Sequence, residues 1–174
     1  MRWSEQPRQG GGPSSVLVVD DEEVVCKIVT EVLRASGYRV RYVTSGAIGL
    51  ERVAEEAPDL ILLDLQMPDM NGPRFLEKLR KTHAELPVVI VTAYPDSELM
   101  RQAMRFAPLM VLAKPVNREL LERTVRVAIG LKVAACTPMS ALEGFEPLLV
   151  AGYRVGEKRR VPNRDARPHR AVRP

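Results

Sequence analysis

The segment most informative about the fold is Leu60-Ile61-Leu62-Leu63-Asp64-Leu65-Gln66-Met67-Pro68-Asp69-Met70-Asn71-Gly72. Four aliphatic residues run directly into the carboxylate of Asp64, and such a run predicts a strand buried on both faces. Asp64 would then lie at the carboxyl end of that strand, where open α/β sheets bind their ligands. The residues behind it predict a turn, since Pro68 fixes φ and Asn71-Gly72 tolerates positive φ. Because an unpaired buried carboxylate is costly, other polar groups must face Asp64.

The length and composition are those of one domain with extensions. The chain has 174 residues, of which 45% are hydrophobic and only 5% aromatic, so the core is aliphatic. Residues 1–131 hold 17 Lys and Arg against 18 Asp and Glu, whereas residues 132–174 hold 9 against 4. The net charge of +4 is therefore a property of the C-terminal extension and says little about the domain.

The sequence contains no signal for secretion, membrane insertion or a disulfide framework. Residues 1–15 have no apolar core of a signal peptide, and no apolar run approaches the roughly 20 residues that span a bilayer. The two cysteines, Cys26 and Cys136, are far apart, and Cys26 lies in an apolar helical pattern typical of a buried free thiol. We therefore expect a cytoplasmic protein with no membrane partner.

Strand and helix patterns alternate five times along the chain. The predicted strands are 16–19, 38–43, 60–63, 88–91 and 109–113. The predicted helices are 22–36, 45–56, 73–81, 95–107 and 117–131. This alternation predicts an α/β fold, a doubly wound five-stranded parallel sheet with helices on both faces and the flavodoxin-like strand order 2-1-3-4-5.

The composition divides the chain into three parts. We expect residues 1–14 to be a disordered leader and residues 15–131 to form the α/β domain. Residues 132–174 are expected to be a basic, Pro- and Arg-rich extension that is largely disordered. Within it, Phe145 to Val155 is an apolar stretch that could form a short apolar contact or a strand.

Polar residues follow four of the predicted strands: Asp20-Asp21, Asp64, Thr92 and Lys114. A parallel sheet brings these strand ends to one edge, so we expect three carboxylates, a hydroxyl and an ammonium around one crevice. Three carboxylates repel one another and a single Lys cannot balance them, whereas Mg²⁺, which prefers oxygen ligands, can. A Lys and a hydroxyl beside such a metal suit an incoming phosphoryl group. The site thus indicates phosphoryl transfer to a carboxylate nucleophile.

Four motifs carry a family resemblance: VLVVDDEE at 16–23, LILLDLQMPDMNG at 60–72, VVIVTAY at 88–94 and LAKP at 112–115. Together, in this order and at these spacings, they resemble the response regulator receiver domain, the CheY-like module of bacterial two-component signalling. The resemblance covers about residues 15–131.

The resemblance implies a role for each residue of the crevice. Asp64 would accept a phosphoryl group from the phosphohistidine of a sensor kinase. Asp20 and Asp21 would hold Mg²⁺ together with Asp64 and the backbone carbonyl of Gln66. Thr92 would be the switch hydroxyl and Lys114 the lysine that pairs with the phosphoryl group. A cis peptide bond would precede Pro115.

The resemblance also implies a function and a set of partners. The domain would be a phosphorylation-dependent switch in a phosphorelay rather than an enzyme with a separate substrate. Its partners would be a sensor histidine kinase or phosphotransfer protein, a downstream protein, and a second copy pairing through helix 4, strand 5 and helix 5. Three positions depart from the family pattern, because Val111 and Val116 stand where aromatic residues are usual and Phe106-Ala107-Pro108 where Gly-Ala is usual.

Other functions remain as alternatives. The first is a nucleic-acid-binding regulator that acts through the basic tail, with Lys158-Arg159-Arg160 as its densest charge run, although aromatic interleaving is sparse. A haloacid-dehalogenase-like phosphatase would need its aspartate nucleophile on the first strand, and a flavodoxin would need a phosphate loop where DDEE stands. A winged-helix output domain or a GxxxxGK[ST] loop is not found in the sequence.

Overall fold

The computed structural model describes residues 12–135, and side chains up to residue 131. Within this range, five strands alternate with five α-helices. The strands are β1 (Ser15–Val19), β2 (Arg39–Val43), β3 (Leu60–Leu63), β4 (Val88–Thr92) and β5 (Met110–Ala113). The helices are α1 (Glu23–Ala35), α2 (Gly46–Glu55), α3 (Gly72–Thr82), α4 (Glu98–Ala103) and α5 (Arg118–Ala135), and a 3₁₀ turn (Met104–Phe106) follows α4.

All neighbouring strands are parallel, and their order is β2-β1-β3-β4-β5. This order confirms the predicted doubly wound, flavodoxin-like sheet. The predicted cis peptide bond between Lys114 and Pro115 is present, and Gly37 ends α1 with a φ of 89° as a C-terminal glycine should.

Two buried apolar layers hold the sheet, one on each face. The residues that alternate along β1, β3 and β4 contribute to opposite layers: Leu17 packs with α2, α3 and α4, whereas Val16 packs with α1 and α5. Because both faces are covered, the strands of the centre are aliphatic throughout, and Leu60 to Leu63 are all buried. In the described part of the chain, no helix has the length and apolar character needed to cross a membrane.

The chain bends at residues 68–70, as the predicted turn requires, but Asn71-Gly72 does not use positive φ. Asn71 has a φ of −68° and caps α3, its side chain accepting a hydrogen bond from the amide of Arg74. Gly72 is the first helical residue and not a positive-φ position. It must be glycine for another reason, since an added Cβ would overlap the side chain of Leu65 and lie 2.9 Å from its backbone Cα.

Two helix boundaries also differ from the sequence prediction. The fourth helix begins at Glu98 and not at Pro95, because Ser97 caps it by accepting from the amide of Met100. The last helix runs to Ala135, four residues beyond the predicted end at Leu131. Predictions for residues 1–11 and 136–174, including the leader, the apolar segment and the basic tail, lie outside the described residues.

Candidate functional site

Two buried carboxylates and one ammonium meet at the carboxyl edge of the sheet. Asp20 and Asp64 are only 4% and 5% exposed, respectively. Nζ of Lys114 lies 2.7 Å from Oδ2 of Asp20 and 3.3 Å from Oδ1 of Asp64. The lysine thus bridges the two acids, as the positions of these residues at three strand ends predicted.

The register of the central strands brings these carboxylates together. Val19 pairs with Leu63 between β1 and β3, so that the next residues, Asp20 and Asp64, leave the sheet side by side. The backbone amide of Asp64 donates to the carbonyl of Val19 at 2.9 Å, which extends the pairing into the site. The two acids are therefore positioned by the rigid centre of the sheet rather than by flexible loops.

Backbone amides orient each carboxylate. The amide of Gln66 donates to Oδ2 of Asp64 at 2.8 Å, and the amide of Glu22 donates to Oδ1 of Asp20 at 3.0 Å. In both cases the carboxylate accepts from the backbone amide two residues later in the chain, a geometry that Asp adopts readily in turns. Each carboxylate is left with its second oxygen facing Lys114.

Burial and charge act in opposite directions on the site's pKa values. Burial raises the pKa of the Asp64 carboxyl, and Lys114 and the Gln66 amide offset only part of this effect. For Lys114, burial opposes the charged form, but the hydrogen bond to Asp20 and the charge of Asp64 outweigh it and raise its pKa. Lys114 therefore remains an ammonium at neutral pH, held between two acids.

The other predicted site residues surround this triad. Thr92 ends β4 and is 1% exposed; its Oγ accepts from the amide of Tyr94 at 3.2 Å, and its carbonyl accepts from the amide of Lys114 at 2.8 Å. Asp21 is exposed at the mouth of the site. Gln66 contributes its backbone beside Asp64, with its side chain exposed.

Two residues of the site were not assigned from the sequence. Oε1 of Glu22 lies 3.6 Å from Nζ of Lys114, which adds a further acid to the cluster. The thiol of Cys26 donates to the backbone carbonyl of Asp20 at 3.2 Å, and burial raises the pKa of that thiol to about 12. The run DDEE was the available signal for Glu22, whereas the contact of Cys26 depends on how α1 packs.

The donor set fits a hard divalent cation. Asp20, Asp21, Glu22 and Asp64 bring four carboxylates to one edge against the single charge of Lys114, and all the side-chain donors are oxygens. Within residues 12–135, however, no three acidic, His or Cys side chains converge into a preformed metal site. The oxygen donors thus suit Mg²⁺. In this structure the Lys114 ammonium lies between the carboxylates of Asp20 and Asp64.

Comparison with known proteins agrees with the resemblance seen in the sequence motifs. The family model described as the response regulator receiver domain matches residues 16–126. The transcriptional regulatory protein ZraR of Escherichia coli K12 is 36% identical over 115 residues, which are 66% of this chain and 26% of that protein. The sporulation initiation phosphotransferase F of Bacillus subtilis is 29% identical over 117 residues, 67% of this chain and 94% of that protein.

Solved structures agree with the sequence comparisons. A CheY-like receiver domain protein from Methanospirillum hungatei superposes with a TM-score of 0.69 at 25% identity, covering 71% of this chain and 99% of that one. The chain spans only about a quarter of the length of the ZraR proteins that it matches. The match with those regulators is therefore to one part of each.

Proposed function

The chain belongs to the response regulator receiver domain family of two-component signalling, and on that premise we propose that Asp64 is its phosphoacceptor. Receiver domain proteins accept phosphoryl groups and are not enzymes, and their partner is a histidine kinase or a phosphotransfer protein. The observation that carries the proposal is the bridge from Lys114 to two buried carboxylates at the carboxyl edge of the sheet. We take residues 15–131, with α5 continuing to Ala135, as the receiver domain.

The chemistry proposed for Asp64 is a direct transfer. An oxygen of its carboxylate attacks the phosphorus of a phosphohistidine, a P–O bond forms, and the P–N bond breaks with its electron pair left on the imidazole. The product is an acyl phosphate on Asp64. The amide of Gln66 fixes one carboxylate oxygen at 2.8 Å, which limits the orientations of the nucleophile.

Lys114 and Thr92 are the groups we assign to the transferred phosphoryl group. The Lys114 ammonium, 3.3 Å from Oδ1 of Asp64, is close enough to pair with a phosphoryl oxygen attached there. Thr92 uses its Oγ as an acceptor for the amide of Tyr94, so its hydroxyl proton is available for donation. A phosphoryl group brings three strong acceptor oxygens that both residues can meet.

Mg²⁺ is the cofactor typical of this family, and we assign its ligands to Asp20, Asp21, Asp64 and the backbone carbonyl of Gln66. When bound, the ion neutralises the acidic cluster and stabilises charge on phosphoryl oxygens. The chain's own contribution is a set of oxygen donors fixed by β1 and β3. Lys114 would exchange its contact with Asp20 for one with the phosphoryl group.

The output surface proposed is formed by α4, β5 and α5. The end of β4 is tied to the end of β5 through the 2.8 Å bond from the Lys114 amide to the Thr92 carbonyl, so that a shift of Thr92 reaches β5 directly. Val111 on β5 packs against the layer that contains α4. We propose that a downstream protein, or a second copy of the chain, reads this surface.

The test is the intact mass of the protein after incubation with acetyl phosphate and Mg²⁺. We expect one added phosphoryl group on the unaltered chain, none on Asp64→Asn, and none when EDTA removes the metal. Asp96→Asn is the matched control, because Asp96 is an exposed acid after β4 and loses the same charge without touching the buried pair. It should be modified like the unaltered chain.

A second donor makes the experiment decisive. If acetyl phosphate modifies nothing, a phosphorylated histidine phosphotransfer protein is supplied in its place. Modification of Asp64→Asn to the same extent as the unaltered chain would refute the assignment, as would a failure of both donors on folded protein.

A further inference from the structure

An apolar groove separates α1 from α5 and opens beside the acidic site. Its volume is about 580 Å³, and Asp20, Asp64 and Lys114 lie at one end of it. The residues that line it on α1 are Val25, Ile28, Val29 and Val32. Its floor includes the β-strand residues Val18, Leu62 and Val91. The groove is therefore a continuous apolar surface that begins where the charged site ends.

The start of α5 and the loop before it form one wall of this groove. Pro115 and Val116 line it where the chain enters α5, and Val116 is only half-buried. On the opposite wall, Ile28 is 57% exposed although it points its apolar surface along the groove. An exposed apolar groove favours an occupant, because an occupant removes the apolar surface that is still exposed, such as that of Ile28, from water.

We propose that this groove is occupied by residues 145–155 of the same chain. The segment reads Phe145-Glu-Pro-Leu-Leu-Val-Ala-Gly-Tyr-Arg-Val155, and it is the apolar stretch of an otherwise Pro- and Arg-rich extension. It also holds the two aromatic residues of that extension, Phe145 and Tyr153. Aromatic side chains bury large areas, which suits a groove lined by Val and Ile.

The connection from α5 is long enough for this docking. α5 has 18 residues, which make it about 27 Å long, and its first turn lies beside Lys114. Glu122, in the second turn of α5, accepts from the hydroxyl of Ser36 just beyond the end of α1, so α5 continues past the end of the groove that is far from the acidic site. Residues 136–144 follow, and nine residues span up to about 30 Å when extended. The segment can thus turn back after α5 and run along the groove towards the site.

Charge complementarity supports this direction. Lys158-Arg159-Arg160 begins three residues after Val155, so a segment that runs towards the site brings this basic run to the groove's acidic end. Asp21 and Glu22 are exposed there. Residues 132–174 carry a net charge of +5, whereas residues 1–131 carry −1, which favours such an approach.

The test is paramagnetic broadening in the full chain. A nitroxide is attached at Ala151→Cys in a Cys136→Ser background, where the remaining Cys26 is buried with a pKa raised to about 12 and should not react. We expect the methyl signals of Val29 and Val116 to lose most of their intensity. A nitroxide at Ala171→Cys, beyond the segment, should leave these signals largely unchanged.

A matched pair on α1 controls for the groove. Ile28→Asp places a charge in the groove and should abolish the broadening, whereas Val24→Asp should preserve it, because Val24 is 70% exposed and does not line the groove. The dispersion of the amide spectrum shows that both variants fold. The proposal is overturned if no groove signal broadens, or if Ile28→Asp and Val24→Asp behave alike.

The same label separates this occupant from a second copy. Isotope-labelled chains without nitroxide are mixed with unlabelled chains that carry it at Ala151→Cys. An intramolecular segment leaves the labelled chains unbroadened, whereas broadening of Val29 and Val116 in the mixture would assign the groove to another molecule and refute the proposal. Neither result depends on phosphorylation of Asp64.

Discussion

At the scale of the residue, Ala107 holds an unusual backbone conformation. Its φ of 47° and ψ of 60° are left-handed, and it is the non-glycine residue with positive φ in residues 12–135. Ala107 ends the 3₁₀ turn by donating its amide to the carbonyl of Met104 at 3.3 Å. A Cβ in this conformation costs roughly 1–2 kcal/mol. Ala107 belongs to the segment Phe106-Ala107-Pro108, where the family usually has Gly-Ala.

Ala107→Gly should therefore stabilise the protein. Glycine removes the left-handed strain but adds unfolded-state entropy worth about 0.4–1 kcal/mol, so we expect a net gain of about 0.5–1 kcal/mol in the free energy of unfolding. Urea denaturation measures it. The control is Ala54→Gly at an exposed position of α2, which should lose about 0.5–1 kcal/mol. A loss in both variants would contradict the argument.

The residues of the site differ in how far the sequence could predict them. Asp20, Asp64, Thr92 and Lys114 were predictable because each directly follows an aliphatic strand, and parallel strands end at one edge. The position of Glu22 relative to Lys114 depends on the turn between β1 and α1, which the carboxylate of Asp20 closes through the Glu22 amide. Local patterns do not encode that conformation.

At the scale of the element, the loop after β3 is fastened to the start of α2. The carboxylate of Asp69 accepts from the Ser45 hydroxyl at 2.8 Å and from the amides of Ala47 and Gly46 at 3.1 and 3.3 Å. Ser45 in turn accepts from the amide of Ile48. Two residues thus cap one helix, and the loop that carries Asp64 and Gln66 is held in place by α2.

Asp69→Asn should weaken this cap in a pH-dependent way. Burial works to raise the pKa of Asp69, but the bonds from the Ala47 amide and the Ser45 hydroxyl outweigh it and lower that pKa below 3.8. A carboxylate whose pKa is lower in the folded state stabilises the protein at pH values above its unfolded-state pKa. This stabilisation is lost as the pH falls through the lower, folded-state pKa. We expect a loss of about 1 kcal/mol at pH 7 that shrinks below pH 3.8.

Thermal unfolding of both chains between pH 7 and pH 3 measures the difference. The control is Asp96→Asn, which removes an exposed carboxylate from the loop before α4. Its stability should follow that of the unaltered chain at every pH. A loss for Asp69→Asn that stays constant with pH would show that the charge of Asp69 contributes nothing to the cap.

The sequence was enough to predict that each strand and helix exists, whereas some helix boundaries depend on tertiary contacts. The 3₁₀ turn after the fourth helix is held from outside: the Arg80 guanidinium of α3 donates to the carbonyls of Phe106 at 3.0 Å and Leu86 at 2.8 Å. At its start, the amide of Ser97 donates to the carbonyl of Tyr94, which forms a turn before the helix. Neither contact has a signal in local periodicity.

At the scale of the whole molecule, residues 12–135 contain what a receiver fold needs. Both apolar layers are built from residues between Val16 and Ile129, and each covers one face of the sheet. Asp20, Asp64, Thr92 and Lys114 lie at the carboxyl ends of β1, β3, β4 and β5. The extension at the C-terminus enters this description only through the proposed docking to the α1–α5 groove.

A chain of residues 12–135 should therefore fold and accept phosphate by itself. Its two layers should give a single cooperative unfolding transition, with a free energy in the usual range of about 5–15 kcal/mol. Acetyl phosphate and Mg²⁺ should add one phosphoryl group to it, and Asp64→Asn in the same truncated chain should stay unmodified. Denaturation followed in parallel by circular dichroism and by intrinsic tyrosine fluorescence tests the cooperativity, since the two curves should coincide. If the transitions separate, or if only the full chain is folded, residues outside 12–135 supply part of the core, and the receiver domain proposed for this stretch is incomplete.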